Sequence, residues 1–168
     1  MDEGGRQVVA NEYMLGAGCI CLPAKSARVC TVVGSGAVVT VWDSRRRRGG
    51  MTHYARPYRE PDKRSTAMYA APAIVTLVRM LLEGGSSPAD LEAHLFGGAS
   101  NPDMAGHREG LAEDNVRVGL ELLEKLQVRR VQRDVGGTRG RKVVFNTGTG
   151  EVILAKVERI RASDWYPQ

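Results

Sequence analysis

The stretch RVCTVVGSGAVVTVW, Arg28 to Trp42, decides the fold class. Its Val and Thr content is that of a strand, because β-branched side chains fit a pleated, half-buried surface. Gly34-Ser35-Gly36 interrupts it in the middle. It reads as two strands joined, or one strand sharply bent, at a glycine turn. Working outward, four arginines follow, and Gly49 to Tyr54 reads as a short strand. Pro57 and Pro61 bracket a polar loop. From Pro72 to Glu83, Ile74, Leu77, Val78, Leu81 and Leu82 recur at three and four, one face of a helix. Pro72 suits the first helical turn, where its missing N–H costs nothing. Leu91 to Phe96 reads as another strand, and Glu113 to Leu126 as a second helix with Val116, Leu120 and Leu123 on one stripe. Three strands follow, Arg129 to Val135, Lys142 to Asn146 and Glu151 to Val157, the last two joined by the hairpin loop Thr147-Gly148-Thr149-Gly150. The expected fold is an α/β mixed-sheet sandwich with two main helices, in one domain over 1–168 with short flexible termini at about 1–6 and 162–168.

Length and composition agree with one compact domain. The chain has 168 residues, 42% hydrophobic and 26% charged, which excludes wholesale disorder. Aromatics are only 5%, so Val, Leu, Ala and Ile must build the core. The net charge of +5 is concentrated: Ser44 to Arg64 holds eight basic residues and two acids. The high pI therefore reports one basic region and not a basic protein. Nucleic-acid binding is disfavoured, because the remaining charges nearly balance and aromatics for base stacking are few. The start of the chain is acidic (Asp2, Glu3) and lacks the basic-then-apolar pattern of a secretory signal. No apolar run is long enough to insert in a membrane. Three cysteines, an odd number, suit reduced thiols in the cytoplasm.

The residues that could carry chemistry are few. Cys19 and Cys21 share a face of a strand, but no second pair or histidine cluster completes a zinc site, so they read as packing residues. His94, alternating with apolar neighbours, reads as a hydrogen-bonded structural histidine, and His107 as a solvated loop residue. Gly34-Ser35-Gly36 is not a phosphate cradle, since no Lys-Ser or Lys-Thr pair opens a helix after it. A strand ending in backbone N–H groups, with His53 seventeen residues on, has the layout of a hydrolytic site awaiting a nucleophile. No motif implies a metal or an organic cofactor.

Four blocks in register resemble one known family, the CheD chemoreceptor glutamine deamidases. Thr31-Val32-Val33-Gly34-Ser35-Gly36, Asp43, Gly49-Gly50-Met51-Thr52-His53 and Pro57 resemble its Thr-x-x-Gly-Ser-Cys, acidic residue, Gly-Gly-Met-x-His and proline. Leu95-Phe96-Gly97-Gly98-Ala99-Ser100 is similar to its Phe-Gly-Gly-Ala segment, and Asn115 sits where the family's second helix carries asparagine. Asp134-Val135-Gly136-Gly137 with Gly140-Arg141-Lys142 resembles its Asp-x-Gly-Gly and Gly-Arg-Lys block.

The resemblance implies an α/β sandwich related to the catalytic domain of cytotoxic necrotizing factor toxins. It implies hydrolysis of glutamine side-chain amides on the cytoplasmic helices of chemoreceptors, and a CheC-like phosphatase as a further partner. Carried over, His53 is the general base and acid and Thr31 the residue that orients it. The amides around Ser35 and Gly36 face the oxyanion. The nucleophile position, however, falls on Gly36. Cys30 neighbours Thr31 and so points to the opposite face of the strand, and the Ser35 hydroxyl is harder to activate than a thiol. Losing the nucleophile of a comparable triad costs about 10⁶ in turnover. Against a typical turnover of about 10 per second, that leaves roughly one event per day. The expectation is a binder of receptor helices or of a CheC-like partner. The alternative is an active deamidase with a substitute nucleophile. The arginine loop Arg45, Arg46, Arg47, Arg48, expected beside the His53 strand, reads either as a complement to acidic helices or as a solvated loop.

Overall fold

A computed structural model describes residues 11–158, and the short termini expected at 1–6 and 162–168 lie outside the described residues. In chain order the elements are β1 (Asn11–Met14), β2 (Cys19–Cys21), β3 (Ala27–Val33), β4 (Ala37–Asp43), β5 (Arg48–Tyr54), α1 (Ala70–Glu83), β6 (Leu91–Gly97), α2 (Leu111–Lys125), β7 (Arg130–Val135), β8 (Gly140–Asn146) and β9 (Val152–Val157). The Arg28–Trp42 stretch is indeed two strands, but they do not pair with each other. β3 belongs to a four-stranded sheet ordered β1-β3-β8-β9, and β4 to a five-stranded sheet ordered β2-β5-β4-β6-β7. The turn at Gly34-Ser35-Gly36 is therefore a crossing between sheets.

Both sheets are mixed, with parallel pairs β1·β3 and β6·β7 and antiparallel pairs elsewhere. Side chains alternate across β4 to fill two separate cores. Val39 and Val41 pack with Ile74, Leu77, Val78 and Leu81 of α1, while Val38 packs with Met51, Val143 and Phe145 between the sheets. The result is three layers: helices, five-stranded sheet, four-stranded sheet.

Helix α1 buries the face the periodicity predicts, except that Leu82 is only partly buried. Helix α2 is rotated from its expected stripe. Ala112, Asn115, Val118, Gly119 and Leu123 are buried, whereas Val116 and Leu120 are only partly so. Small residues explain the rotation, because a Cβ on Gly119 would collide with the Tyr54 hydroxyl. The glycine lets the helix backbone lie close on the sheet. Arg141 ties the layers at one end. Its buried guanidinium bonds Asp134 Oδ1 at 3.0 and 3.1 Å and the carbonyls of Gly97, Gly136 and Arg139.

Candidate active site

The two sheets meet at Thr31, on β3, and His53, near the end of β5. Thr31 Oγ1 lies 2.7 Å from the Leu15 carbonyl and 3.0 Å from His53 Nδ1. A hydroxyl has one proton. A carbonyl only accepts, so that proton goes to Leu15, and the hydroxyl oxygen accepts from His53 Nδ1–H. Thr31 thereby sets the tautomer and leaves the Nε2 lone pair available. His53 is 5% exposed, and burial holds its pKa down at about 4, so the ring is neutral at physiological pH.

Nε2 points at Gly36. A Cβ built on Gly36 would lie 3.4 Å from it, so a side chain there would meet the imidazole directly. The same Cβ would lie 2.6 Å from the Tyr54 carbonyl oxygen, closer than any side chain tolerates. The end of β5 has closed on the glycine. A cysteine at this position would need that backbone to move.

The turn is held from two sides. Asn115 Nδ2 donates to the carbonyls of Ser35 (2.9 Å) and Ala55 (3.0 Å), joining the turn to the chain leaving β5. The Tyr54 hydroxyl in turn donates to the Asn115 carbonyl at 2.7 Å. From the other side, Gly98 N–H and Ala99 N–H donate to the carbonyls of Gly36 and Gly34. Gly97 and Gly98 take positive φ to do so. With its carbonyls engaged, the turn keeps the N–H groups of Ser35 and Gly36 without a hydrogen-bond partner among the described residues. These are the donors an oxyanion needs. Sequence reasoning placed Asn115 only by resemblance. Its part in joining Ser35 to β5 had no local signal, because a polar residue in a helix reads as solvent-facing.

The three cysteines are spread apart. Cys30 is buried on the face of β3 away from Thr31, its Sγ 3.3 Å from Glu12 Oε1. Burial, with the Glu12 carboxylate beside it, pushes its thiol up to about 11. Cys19 is exposed and lies across from His53 in the β2·β5 register, and Cys21 packs partly into the core between the sheets. His94 bonds Gln132 at 3.0 Å and stacks on Phe96, and His107 is an exposed loop residue. His107 helps line a cavity of ≈ 180 Å³ whose opposite wall includes Gly34 and Ser35.

The arginine loop adjoins the His53 strand, as expected, but at the end away from this site. Arg45, Arg46 and Arg47 form the tight connection between β4 and β5, and Arg48 opens β5. Arg48 pairs with Asp43, whereas His53 pairs with Val38, five residues along the same ladder. At about 3.3 Å per residue the two ends stand roughly 17 Å apart. Buried Asp43 shapes the loop, accepting from Arg45 N–H, Arg46 N–H and the Ser86 hydroxyl. Burial alone would raise the Asp43 carboxyl. The Ser86 hydroxyl, the Arg46 and Arg45 N–H groups and the Arg46 guanidinium outweigh it and hold the carboxyl below its ordinary range. Arg46 and Arg48 lie against Gly85 and Gly84 at the end of α1. Two of the four arginine side chains therefore lie against the end of α1.

Comparison with known proteins places the sequence. Residues 55–156 match the family model described as CheD, chemotactic sensory transduction. A protein of Trichlorobacter lovleyi named a probable chemoreceptor glutamine deamidase CheD is 32% identical over 145 residues, covering 86% of this chain and 90% of that one. A similarly named protein of Anaeromyxobacter dehalogenans is 35% identical over 147 residues, covering 88% and 83%. One from Sulfurimonas denitrificans is 34% identical over 131 residues, covering 77% and 83%. Among solved structures, the Bacillus licheniformis hypothetical protein YfiH aligns over 64% of this chain and 46% of that chain, at 15% identity and a TM-score of 0.43.

Proposed function

The chain belongs to the CheD family, and on that premise we propose that it binds the cytoplasmic helices of chemoreceptors, or a CheC-like partner presenting a similar helix, without deamidating them. The setting is the cytoplasm, where those helices lie. The observation that carries this reading is Gly36. It stands 3.4 Å, through its absent Cβ, from a histidine nitrogen whose lone pair is oriented to take a proton, and it supplies nothing to deprotonate. The relatives are named probable chemoreceptor glutamine deamidases. In that chemistry His53 Nε2 would take the nucleophile's proton, Thr31 would hold the ring, and the Ser35 and Gly36 N–H groups would stabilise the oxyanion. Without a nucleophile these buried groups carry out no hydrolysis, and binding falls to the surface around them.

The alternative, a working deamidase with another nucleophile, meets two obstacles. Cys30 faces away, with its thiol held protonated by burial and Glu12. Ser35 is exposed, and no hydrogen bond among the described residues joins its hydroxyl to His53. Equilibrium binding tests the reading: a fluorescently labelled chemoreceptor cytoplasmic fragment is titrated with the purified full chain, and with His53→Ala. Saturable binding, retained in the variant to within a few fold, is expected. Absence of binding by the unaltered chain both to this fragment and, in a parallel titration, to a CheC-like phosphatase overturns the proposal.

A further inference from the structure

The loss of the arginine hairpin from the site leaves open which basic surface lies beside it. The answer is the second half of the charged region. The connection from Ala55 to Tyr69 leaves β5 two residues after His53, and Asn115 bonds its first carbonyl together with that of Ser35. With the adjoining face of α1 it carries five cations, Arg56, Arg59, Lys63, Arg64 and Arg79, against Glu60 and Asp62. Among the described residues only Arg56 of these five is in an ion pair, with Glu60.

Between this connection and α1 lies a groove of ≈ 460 Å³, lined by Tyr58, Tyr69, Pro72 and Val75 together with Arg59 and Arg79. Its walls are already set. Arg117 donates to the Tyr58 hydroxyl at 2.9 Å, and Arg59 donates to the Lys63 carbonyl at 2.8 Å. The base of the connection is closed by Ala55 N–H and Arg56 N–H on the Met68 carbonyl, and by Ala70 N–H on the Arg56 carbonyl. A groove ordered before binding loses little conformational entropy on binding.

We infer that this groove is a docking site for an acidic amphipathic helix, with apolar side chains against Tyr58, Tyr69 and Val75 and carboxylates opposite Arg59 and Arg79. Aromatic and proline surface bounded by unpaired cations fits a helix whose apolar stripe is edged with Glu or Asp. The complementary charges speed encounter and reject basic helices. This inference deepens the proposed function, since it says where on the chain a receptor helix rests. It also assigns the Arg45–Arg48 hairpin, at the far end of the sheet, no part in that contact.

The test uses the full chain and two probes: a labelled synthetic helix with Leu at i, i+4 and i+7 edged by Glu, and a labelled chemoreceptor cytoplasmic fragment. Arg59→Glu/Arg79→Glu is compared with Arg45→Glu/Arg47→Glu, all four being exposed positions. At low salt the groove pair is expected to weaken both probes at least tenfold and the hairpin pair less than twofold, with the gap narrowing as salt rises. Amide NMR shifts of the unaltered chain with the synthetic helix are expected at Tyr58, Val75, Thr76 and Arg79, a readout independent of variant folding. Equal effects of the two pairs, a larger hairpin effect, or shifts elsewhere overturn the inference. If the receptor fragment binds but ignores the groove pair, the inference fails while the proposed function stands. If the synthetic helix binds in the groove and the receptor fragment does not bind at all, the groove binds acidic helices but the receptor reading of the proposed function fails. Binding of neither probe overturns both.

Discussion

Acidification within a narrow window destabilises this protein through His53. The ring is buried between two sheets with Nδ1 bonded to Thr31, and its pKa lies at about 4 against an ordinary 6.5. Between those values the unfolded chain holds a proton that the folded chain does not, so stability rises with pH across the window. The contribution is fully present above 6.5 and is lost progressively as pH falls towards 4. Each unit of separation is worth about 1.4 kcal/mol. Going from about pH 7.5 to about pH 4.5 therefore removes about 2.5 kcal/mol, a large share of the stability of a domain this size. Other shifted groups act elsewhere. Asp43 is held below the ordinary carboxylate range, so what it adds is lost only at lower pH. Cys30 is raised above its ordinary 9, so it bears on stability only in alkali. Urea unfolding of the unaltered chain and of His53→Gln at several pH values measures the effect. The glutamine cannot titrate, so its stability is expected to be nearly flat through the window. An equal slope in both proteins refutes the placement of His53 as a buried neutral imidazole.

Three further outcomes follow from other parts of the structure. Arg141→Met strips the donor from three carbonyls and from half-exposed Asp134, and is expected to cost about 3 kcal/mol, read as a fall in Tm of roughly 6–12 °C; a shift under about 2 °C contradicts the clamp. Gly119→Ala places a methyl against the Tyr54 hydroxyl and is expected to destabilise by about 1–3 kcal/mol, measured by urea unfolding; a neutral result contradicts the close approach of α2 to the sheet. In thiol alkylation at about pH 8, exposed Cys19 labels in the folded protein while Cys30, with roughly one thiol in a thousand ionised, labels only on unfolding. Equal labelling rates at the two positions contradict the outward, buried position of Cys30.

Much of the architecture is legible in the chain because local chemistry and tertiary placement agree. The Val and Thr residues on either side of Gly34-Ser35-Gly36 read as strands and are strands. Their division between two sheets is not legible, because Val32 and Val33 are both buried and neither face advertises its partner. β1 escapes notice for the opposite reason: all four of its residues are exposed, so it has no alternation to detect. Helix α2 misleads on which face is buried, since Val116 and Leu120 outrank Asn115 and Gly119 in hydrophobicity. The close contact with Tyr54 and the double bond to the turn decide the matter instead. At the site, the alternation in β3 correctly separates Thr31 from Cys30. The tautomer of His53 depends on the Leu15 carbonyl, sixteen residues before Thr31, and no local pattern announces it. The arginine run shows how a one-dimensional charge count merges what the fold separates: one continuous basic region becomes two surfaces at opposite ends of a sheet.

The proposed function rests on a histidine oriented by Thr31 beside Gly36, a position with no side chain to act as nucleophile. Peptide mass spectrometry of a chemoreceptor cytoplasmic fragment, after long incubation with stoichiometric unaltered protein, tests it most directly. No glutamine-to-glutamate conversion above the buffer control is the result expected. Conversion that requires the unaltered chain and disappears in His53→Ala contradicts the claim and places a working nucleophile beside Gly36.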